Sequence, residues 1–130
     1  MRLAGILFLS LLATARERDG ALVQQAPAQA LRQTNPLRGN TEAGRAGAKL
    51  FAQECAACHG VRSRGSEKAP PLNRGDIRQA PPGALFWVLR NGSLHRGMPS
   101  FAHLPELERW QIVTFLQEVA EPKADSHGRP

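Results

Sequence analysis

Apolar residues recur at helical spacing in three stretches of this 130-residue chain, and no stretch alternates as a half-buried strand does. The predicted helices cover residues 41–53, 82–91 and 105–121. In the first of them, the apolar stripe repeats at i, i+4, i+7 and i+8 and consists of Ala43, Gly47, Leu50 and Phe51. The pattern therefore predicts an all-α fold with three main helices joined by long loops.

Local signals agree with these three helices. Thr41 is suited to cap the first helix, Gly92 follows the second as a stop signal, and Pro122 ends the third. Gly47 lies in mid-helix, where glycine costs about 1 kcal/mol relative to alanine. We therefore expect Gly47 to mark a place where another helix approaches closely.

The first fifteen residues have the pattern of a secretory signal. Arg2 is followed by the apolar run "LAGILFLSLLATA", which is shorter than the roughly 20 residues needed to span a bilayer. The run ends in small residues that suit a cleavage site after Ala15. Residues 1–15 are thus predicted to be a signal peptide, which implies a periplasmic protein without a transmembrane anchor after cleavage.

Composition divides the remainder of the chain. Residues 16–39 are rich in Gln, Ala, Pro and Arg without periodicity and are predicted to be a flexible leader, and residues 122–130 form a polar tail. The folded unit is then residues 40–121, which is small enough to need an additional source of stability. The long, Gly- and Pro-rich connection between His59 and Pro82 is predicted to wrap around something.

Both cysteines of the chain lie in the stretch "QECAACHG", which runs from Gln53 to Gly60. Cys55 and Cys58 are followed directly by His59, and this C-x-x-C-H spacing is typical of covalent haem attachment. In such a site the two thiols add to the haem vinyl groups, and the histidine supplies an imidazole to the iron. The large apolar disc would also stabilise a small domain.

A haem with one histidine ligand needs a second ligand or an open position. Met1 leaves with the signal, so Met98 is the one methionine of the mature chain, and Gly97 and Pro99 restrict the backbone on either side of it. A methionine in a loop more commonly fills a packing gap, but the upstream C-x-x-C-H motif favours a ligand. His95 and His103 flank Met98 and could compete for the iron if that loop rearranged, although histidines in a loop are more commonly surface residues. His127 lies in the polar tail and carries no signal of a ligand.

The ordered set "CAACHG", "APPL", "RNG", "GMPSF" and the terminal "WQIVTFL" resembles the small monohaem c-type cytochromes of class I, with histidine and methionine ligands. The resemblance covers about residues 41–120. It implies a cytochrome c-like fold around one covalently attached haem c, whose iron has His59 as proximal ligand and Met98 as distal ligand. It implies thioether bonds at Cys55 and Cys58.

The resemblance also implies further contacts. The Pro70 carbonyl would accept the other ring N–H of His59, and Leu72 would lie on the haem face. Gly47 and Phe51 would pack across Trp110 of the last helix. The chain departs from the family in having no tyrosine, so Trp87 and Arg90 become the candidates for contact with the haem propionates.

Charge narrows the choice of partners. The chain carries a formal net charge of +6, and seven basic residues against two acidic ones lie between Gly60 and Ser100. These bases are scattered among Pro and Gly without interleaved aromatics, which argues against nucleic acid as a partner. They favour an acidic docking surface on a redox partner protein, and similar cytochromes exchange electrons with quinoprotein dehydrogenases or terminal oxidases.

The sequence thus predicts a soluble, exported one-electron carrier that is not an enzyme. Two alternatives remain open at this stage. One is a haem peroxidase or sensor with a displaceable Met98, and the other is an exported thiol oxidoreductase that uses Cys55 and Cys58 as a redox dithiol.

Overall fold

The structure is a computed structural model that describes residues 21–118. Within that range the chain is helical, and its one β-type pairing is an isolated antiparallel bridge between Ser93 and Met98. The helices in chain order are α1 (Ala21–Gln24), α2 (Ala28–Leu31), α3 (Thr41–Glu54), α4 (Ala56–His59), α5 (Gly75–Gln79), α6 (Pro82–Asn91) and α7 (Glu106–Glu118). The predicted all-α fold is confirmed for the described residues.

The crossing of α3 over α7 forms the centre of the fold. At Gly47 an added Cβ would lie only 1.9 Å from the carbonyl oxygen of Gln111, so the two backbones touch at this point. One turn further on, the rings of Phe51 and Phe115 pack at 5.2 Å between centroids. The expectation that Gly47 marks a close helix approach is confirmed.

Trp110 makes its aromatic contact with α6. Its ring stacks on Phe86 of α6 at 4.1 Å between centroids and 16° between planes. Residue 110 therefore joins α7 to α6, while Gly47 meets α7 at Gln111 and Phe115. Residues 110 and 111 are consecutive, so their side chains leave α7 about 100° apart around the helix axis.

The three main helices begin close to their predicted positions, with one corrected cap. Asn40 caps α3, because its side-chain oxygen accepts a hydrogen bond from the backbone N–H of Ala43 at 3.0 Å. Thr41, which we expected at this position, is the first residue of the helix. The predicted stop of α6 at Gly92 is observed, whereas Pro122 lies outside the described residues.

The connection between His59 and Pro82 contains more structure than a plain loop. A 3₁₀ turn covers Val61–Ser63, and α5 places the buried Ile77 in the core. The rest of the connection is irregular and folds back toward the end of α4.

The leader is the largest difference from prediction. Residues 21–39, within the stretch predicted to be flexible, form α1 and α2 and pack on α6 through the buried Ala26 and Ala30. Helices of four residues have too little length for a periodic pattern, so tertiary contacts rather than sequence pattern define them. The predicted domain boundary at residue 40 therefore leaves out a packed segment.

No helix between residues 21 and 118 is long and apolar enough to cross a membrane. The predicted signal peptide (1–15) and the predicted polar tail (122–130) lie outside the described residues.

Candidate functional site

The turn of α4 presents the two thiols and the imidazole together. The backbone N–H groups of Cys58 and His59 both donate to the carbonyl oxygen of Cys55, at 3.1 and 2.9 Å. Residues at i, i+3 and i+4 of a helical turn share one face, so Cys55, Cys58 and His59 point to the same side. All three line a single cavity.

The two thiols lie in different environments. Both are free, with Cys55 buried and Cys58 exposed. Burial, followed by the nearby charges of Glu54 and Cys58, raises the pKa of the Cys55 thiol to about 12. Cys55 is therefore a neutral thiol in an apolar wall at ordinary pH.

The ring of His59 has one nitrogen committed to the protein. Its Nδ1 lies 2.8 Å from the carbonyl oxygen of Pro70. Because a carbonyl oxygen only accepts hydrogen bonds, Nδ1 must carry the proton, and Nε2 then keeps its lone pair free. The contact matches the one that the resemblance implied, and it leaves His59 able to bind a metal through Nε2.

A buried serine carbonyl holds the Pro70–Asn73 segment in place. The oxygen of Ser63 accepts hydrogen bonds from the backbone N–H groups of Leu72 and Asn73, at 2.8 and 3.2 Å. Ser63 is completely buried. The backbone φ angles of Ser63 and of the preceding Arg62 are both positive. This turn brings Pro70 to the histidine and Leu72 to the cavity wall, and sequence reasoning did not identify its role.

Met98 lies in a tight hairpin that closes on the same cavity. The backbone groups of Ser93 and Met98 exchange two hydrogen bonds, at 2.8 and 3.0 Å, across a turn in which Gly97 adopts a left-handed conformation. The half-buried Met98 lines the cavity together with His59. The sequence analysis attributed the restricted backbone at Met98 to Gly97 and Pro99 and did not identify the buried Ser93. The glycine in this turn was an available signal, since short turns that contain glycine are typical of hairpins.

The cavity between these elements has a volume of about 540 Å³, within the range of cofactor sites. Its lining is mainly apolar. The buried aliphatic and aromatic side chains that form its walls are Phe51, Ile77, Leu85, Leu89, Phe101, Ile112 and Leu116. A large apolar disc that carries a metal fits this combination of apolar walls, two thiols, an imidazole nitrogen without a protein partner, and a thioether.

The two other histidines in the described part of the chain, His95 and His103, do not line this cavity. His95 contacts Ser93 Oγ through Nδ1 at 3.3 Å, and His103 Nε2 lies 4.0 Å from a carboxylate oxygen of Glu54. His127 lies outside the described residues. Met98 is therefore the candidate second ligand that the described part of the chain brings to the cavity.

A second cavity, of about 850 Å³, lies on the other face of α6 and contains neither cysteine nor histidine. Trp87 and Arg90 line this second cavity and not the first. Our assignment of these two residues to the propionates is thus not supported by their positions. Helical geometry gives the reason, because Leu85, Val88 and Leu89 take the face of α6 toward the first cavity.

Comparison with known proteins gives a family and a structural neighbour. The family model described as "Cytochrome C oxidase, cbb3-type, subunit III" matches residues 42–116. The crystal structure of cytochrome CL from the marine methylotrophic bacterium Methylophaga aminisulfidivorans is similar, with a TM-score of 0.59 and 25% sequence identity. The match covers 67% of this chain and 59% of that cytochrome, so this chain spans little more than half of its length. A search of curated protein sequences found no match.

Proposed function

We propose that this member of the family of cbb3-type cytochrome c oxidase subunit III domains is a soluble, exported carrier of single electrons. Its family makes it a small c-type cytochrome that functions in haem-based electron transfer. In this proposal one haem is bonded covalently to Cys55 and Cys58. His59 and Met98 are its axial ligands.

One observation carries the proposal. Four side chains of the required chemistry, which are the two thiols, the imidazole of His59 and the thioether of Met98, line one apolar cavity. The hydrogen bond from His59 Nδ1 to Pro70 O orients the ring and leaves Nε2 for the iron. The two backbone hydrogen bonds between Ser93 and Met98 fix the backbone of Met98, which carries the thioether.

The arrangement suits electron transfer better than catalysis. When bound, haem supplies a one-electron couple between ferric and ferrous iron. His59 and Met98 would each supply a ligand to the bound iron, and the protein would then leave no position open for a substrate. The hydrogen bond at His59 and the backbone bridge at Met98 would hold both side chains in place when haem is bound, so that little would rearrange on electron transfer.

The burial of the Cys55 thiol does not favour the thiol oxidoreductase alternative. A redox dithiol depends on a cysteine with a lowered pKa, since the thiolate is the nucleophile. Burial instead raises the pKa of Cys55 to about 12. Such a thiol is better suited to serve as a fixed attachment point than as an exchanging sulfur.

We place the protein in the periplasm, on the strength of the signal pattern in residues 1–15. The proposed partners are redox proteins with an acidic docking surface, of the quinoprotein dehydrogenase or terminal oxidase kind. Two exposed cations, Lys68 and Arg96, line the haem cavity itself and would face such a partner.

Covalent attachment can be tested by mass. The mature protein, purified from a host that matures c-type cytochromes, should keep one haem per chain after denaturation. The double variant Cys55→Ala/Cys58→Ala is the control and should lose it. A wild-type mass that shows no haem, with Cys55 and Cys58 joined as a disulfide, would contradict the proposed function.

The location of Arg96 predicts a charge effect on electron transfer. Arg96→Glu should slow the reaction with the hexacyanoferrate(III) anion several-fold at low salt, and the deficit should shrink as ionic strength rises. Stopped-flow kinetics over a series of salt concentrations measures both effects.

Arg90→Glu is the matched control for this experiment. This variant makes the same change of charge at a residue of α6 that lines the second cavity and not the first. We expect a clearly smaller effect on the rate. Equal effects of the two variants would mean that only the net charge matters and would contradict a docking site at the cavity.

A further inference from the structure

The segment of residues 21–39 (the N-terminal segment) contributes to the wall of the haem cavity. Leu22 and Val23 of α1 line the same cavity as His59 and Met98. Both side chains are half-buried, and Val23 packs against the main hydrophobic core. Residues that lie outside the family match at 42–116 therefore complete the binding site.

The N-terminal segment packs closely on α6. Ala26 and Ala30 are buried against Ala84, which is fully inaccessible to solvent. At Gly83, an added Cβ would lie 1.9 Å from the carbonyl oxygen of Ala30 and 2.7 Å from the Cβ of Gln33. The carbonyl of Ala30 thus lies directly against the backbone of α6 at Gly83, which closely defines the position of α2 on α6.

A buried hydrogen bond holds the other end of the N-terminal segment. The side-chain amide of Asn35 donates to the hydroxyl of Thr114 on α7 at 2.9 Å, and both residues are buried. The amide oxygen of Asn35 accepts the backbone N–H of Leu37 at 2.9 Å. A buried side chain with its polar groups satisfied in this way specifies one position of the chain.

We propose that the N-terminal segment is a fixed wall of the haem site, in which Leu22 and Val23 exclude water from one side of the bound haem and so raise its reduction potential. The inference rests on the proposed function, since it requires haem in this cavity. Its physical basis is that ferric haem carries one more positive charge than ferrous haem. An apolar wall that keeps water away from the haem therefore disfavours the more highly charged ferric state.

The first test makes the wall polar. In the full mature chain, Leu22→Ser/Val23→Ser should lower the reduction potential. We expect the equilibrium constant for reduction to fall about threefold to tenfold, and a tenfold change corresponds to about 59 mV for one electron. Gln24→Ser/Gln25→Ser is the matched control, because both of these glutamines are exposed and neither lines the cavity, and its potential should stay at the wild-type value.

The second test displaces the N-terminal segment without changing any residue of the cavity. Gly83→Ala places a methyl group against the Ala30 carbonyl, while alanine favours helix α6 itself. We expect faster amide hydrogen exchange in residues 21–39 and a potential that shifts in the same direction as in the polar variant. This variant keeps the inference testable if the double serine variant does not fold.

The outcomes separate the two proposals. Haem-loaded variants whose potentials match wild type would contradict the inference alone, as would unchanged exchange in Gly83→Ala. A wild-type protein without a haem spectrum would contradict the proposed function, and the inference with it.

Discussion

Replacing Met98 with histidine should lower the reduction potential by a sizeable part of the roughly 0.8 V over which axial ligands tune haem proteins. The reason is that imidazole favours ferric iron more than a thioether does. Met98 is the methionine that the hairpin with Ser93 directs to the cavity. Redox titration followed by visible absorption measures the shift.

A substitution in the same hairpin serves as the control. Leu94 is 79% exposed and does not line the cavity, so Leu94→Ala should leave the potential where it is in wild type. The weak far-red band that a sulfur–iron bond gives in similar ferric cytochromes should persist in Leu94→Ala and disappear in Met98→His. Loss of the band in neither variant would mean that the thioether of Met98 does not bind the iron.

Gly47→Ala should lower the free energy of unfolding by about 2 kcal/mol. The new methyl group would lie 1.9 Å from the Gln111 carbonyl oxygen, and only a shift of α3 against α7 can relieve that contact. Overpacking of this kind typically costs 1–3 kcal/mol or more. The gain of about 1 kcal/mol in helix propensity offsets only a part of that loss.

Gly44→Ala is the matched control on the same helix. There, an added Cβ would meet the end of the Glu118 side chain at 2.6 Å, and a flexible side chain can move away. Stability should therefore be unchanged or rise by up to about 1 kcal/mol. Urea denaturation of the haem-loaded proteins compares the two variants, and similar values for both would contradict the close contact of α3 with α7.

The three main helices could be predicted because α3 and α7 are long enough to show a helical period, and α6 is an apolar run bounded by Pro82 and Gly92. Phe51 and Gly47 lie on one face of α3 in the sequence pattern and meet α7 in the structure. The cap was off by one residue, since Asn40 and Thr41 are both good capping residues and the backbone decides between them.

The site was predictable where its chemistry is local. Cys55, Cys58 and His59 form one helical turn, so their spacing alone brings them together. The hydrogen bond between His59 and Pro70 spans eleven residues of irregular chain, and only the resemblance to a family indicated it. Trp87, a candidate for contact with the propionates, lines the second cavity, because composition does not reveal which face of a mainly apolar helix lies toward the first cavity.

The N-terminal segment could not be predicted from its pattern. α1 and α2 have four residues each, and their position depends on contacts made far along the chain. The bond between Asn35 and Thr114 links residues 79 positions apart, and Gly83 meets Ala30 across 53. An asparagine or a glycine in a single sequence does not predict such a contact, because both residues are also common in loops.

The reaction of the ferrous mature protein with carbon monoxide tests the central claim most directly, because it reports whether His59 and Met98 occupy both axial positions. We predict that the visible spectrum of wild type stays unchanged after addition of carbon monoxide, whereas Met98→Ala, with an open sixth position, binds it readily. Wild-type protein that binds carbon monoxide as fast as Met98→Ala would contradict the account of a carrier whose iron is closed to ligands.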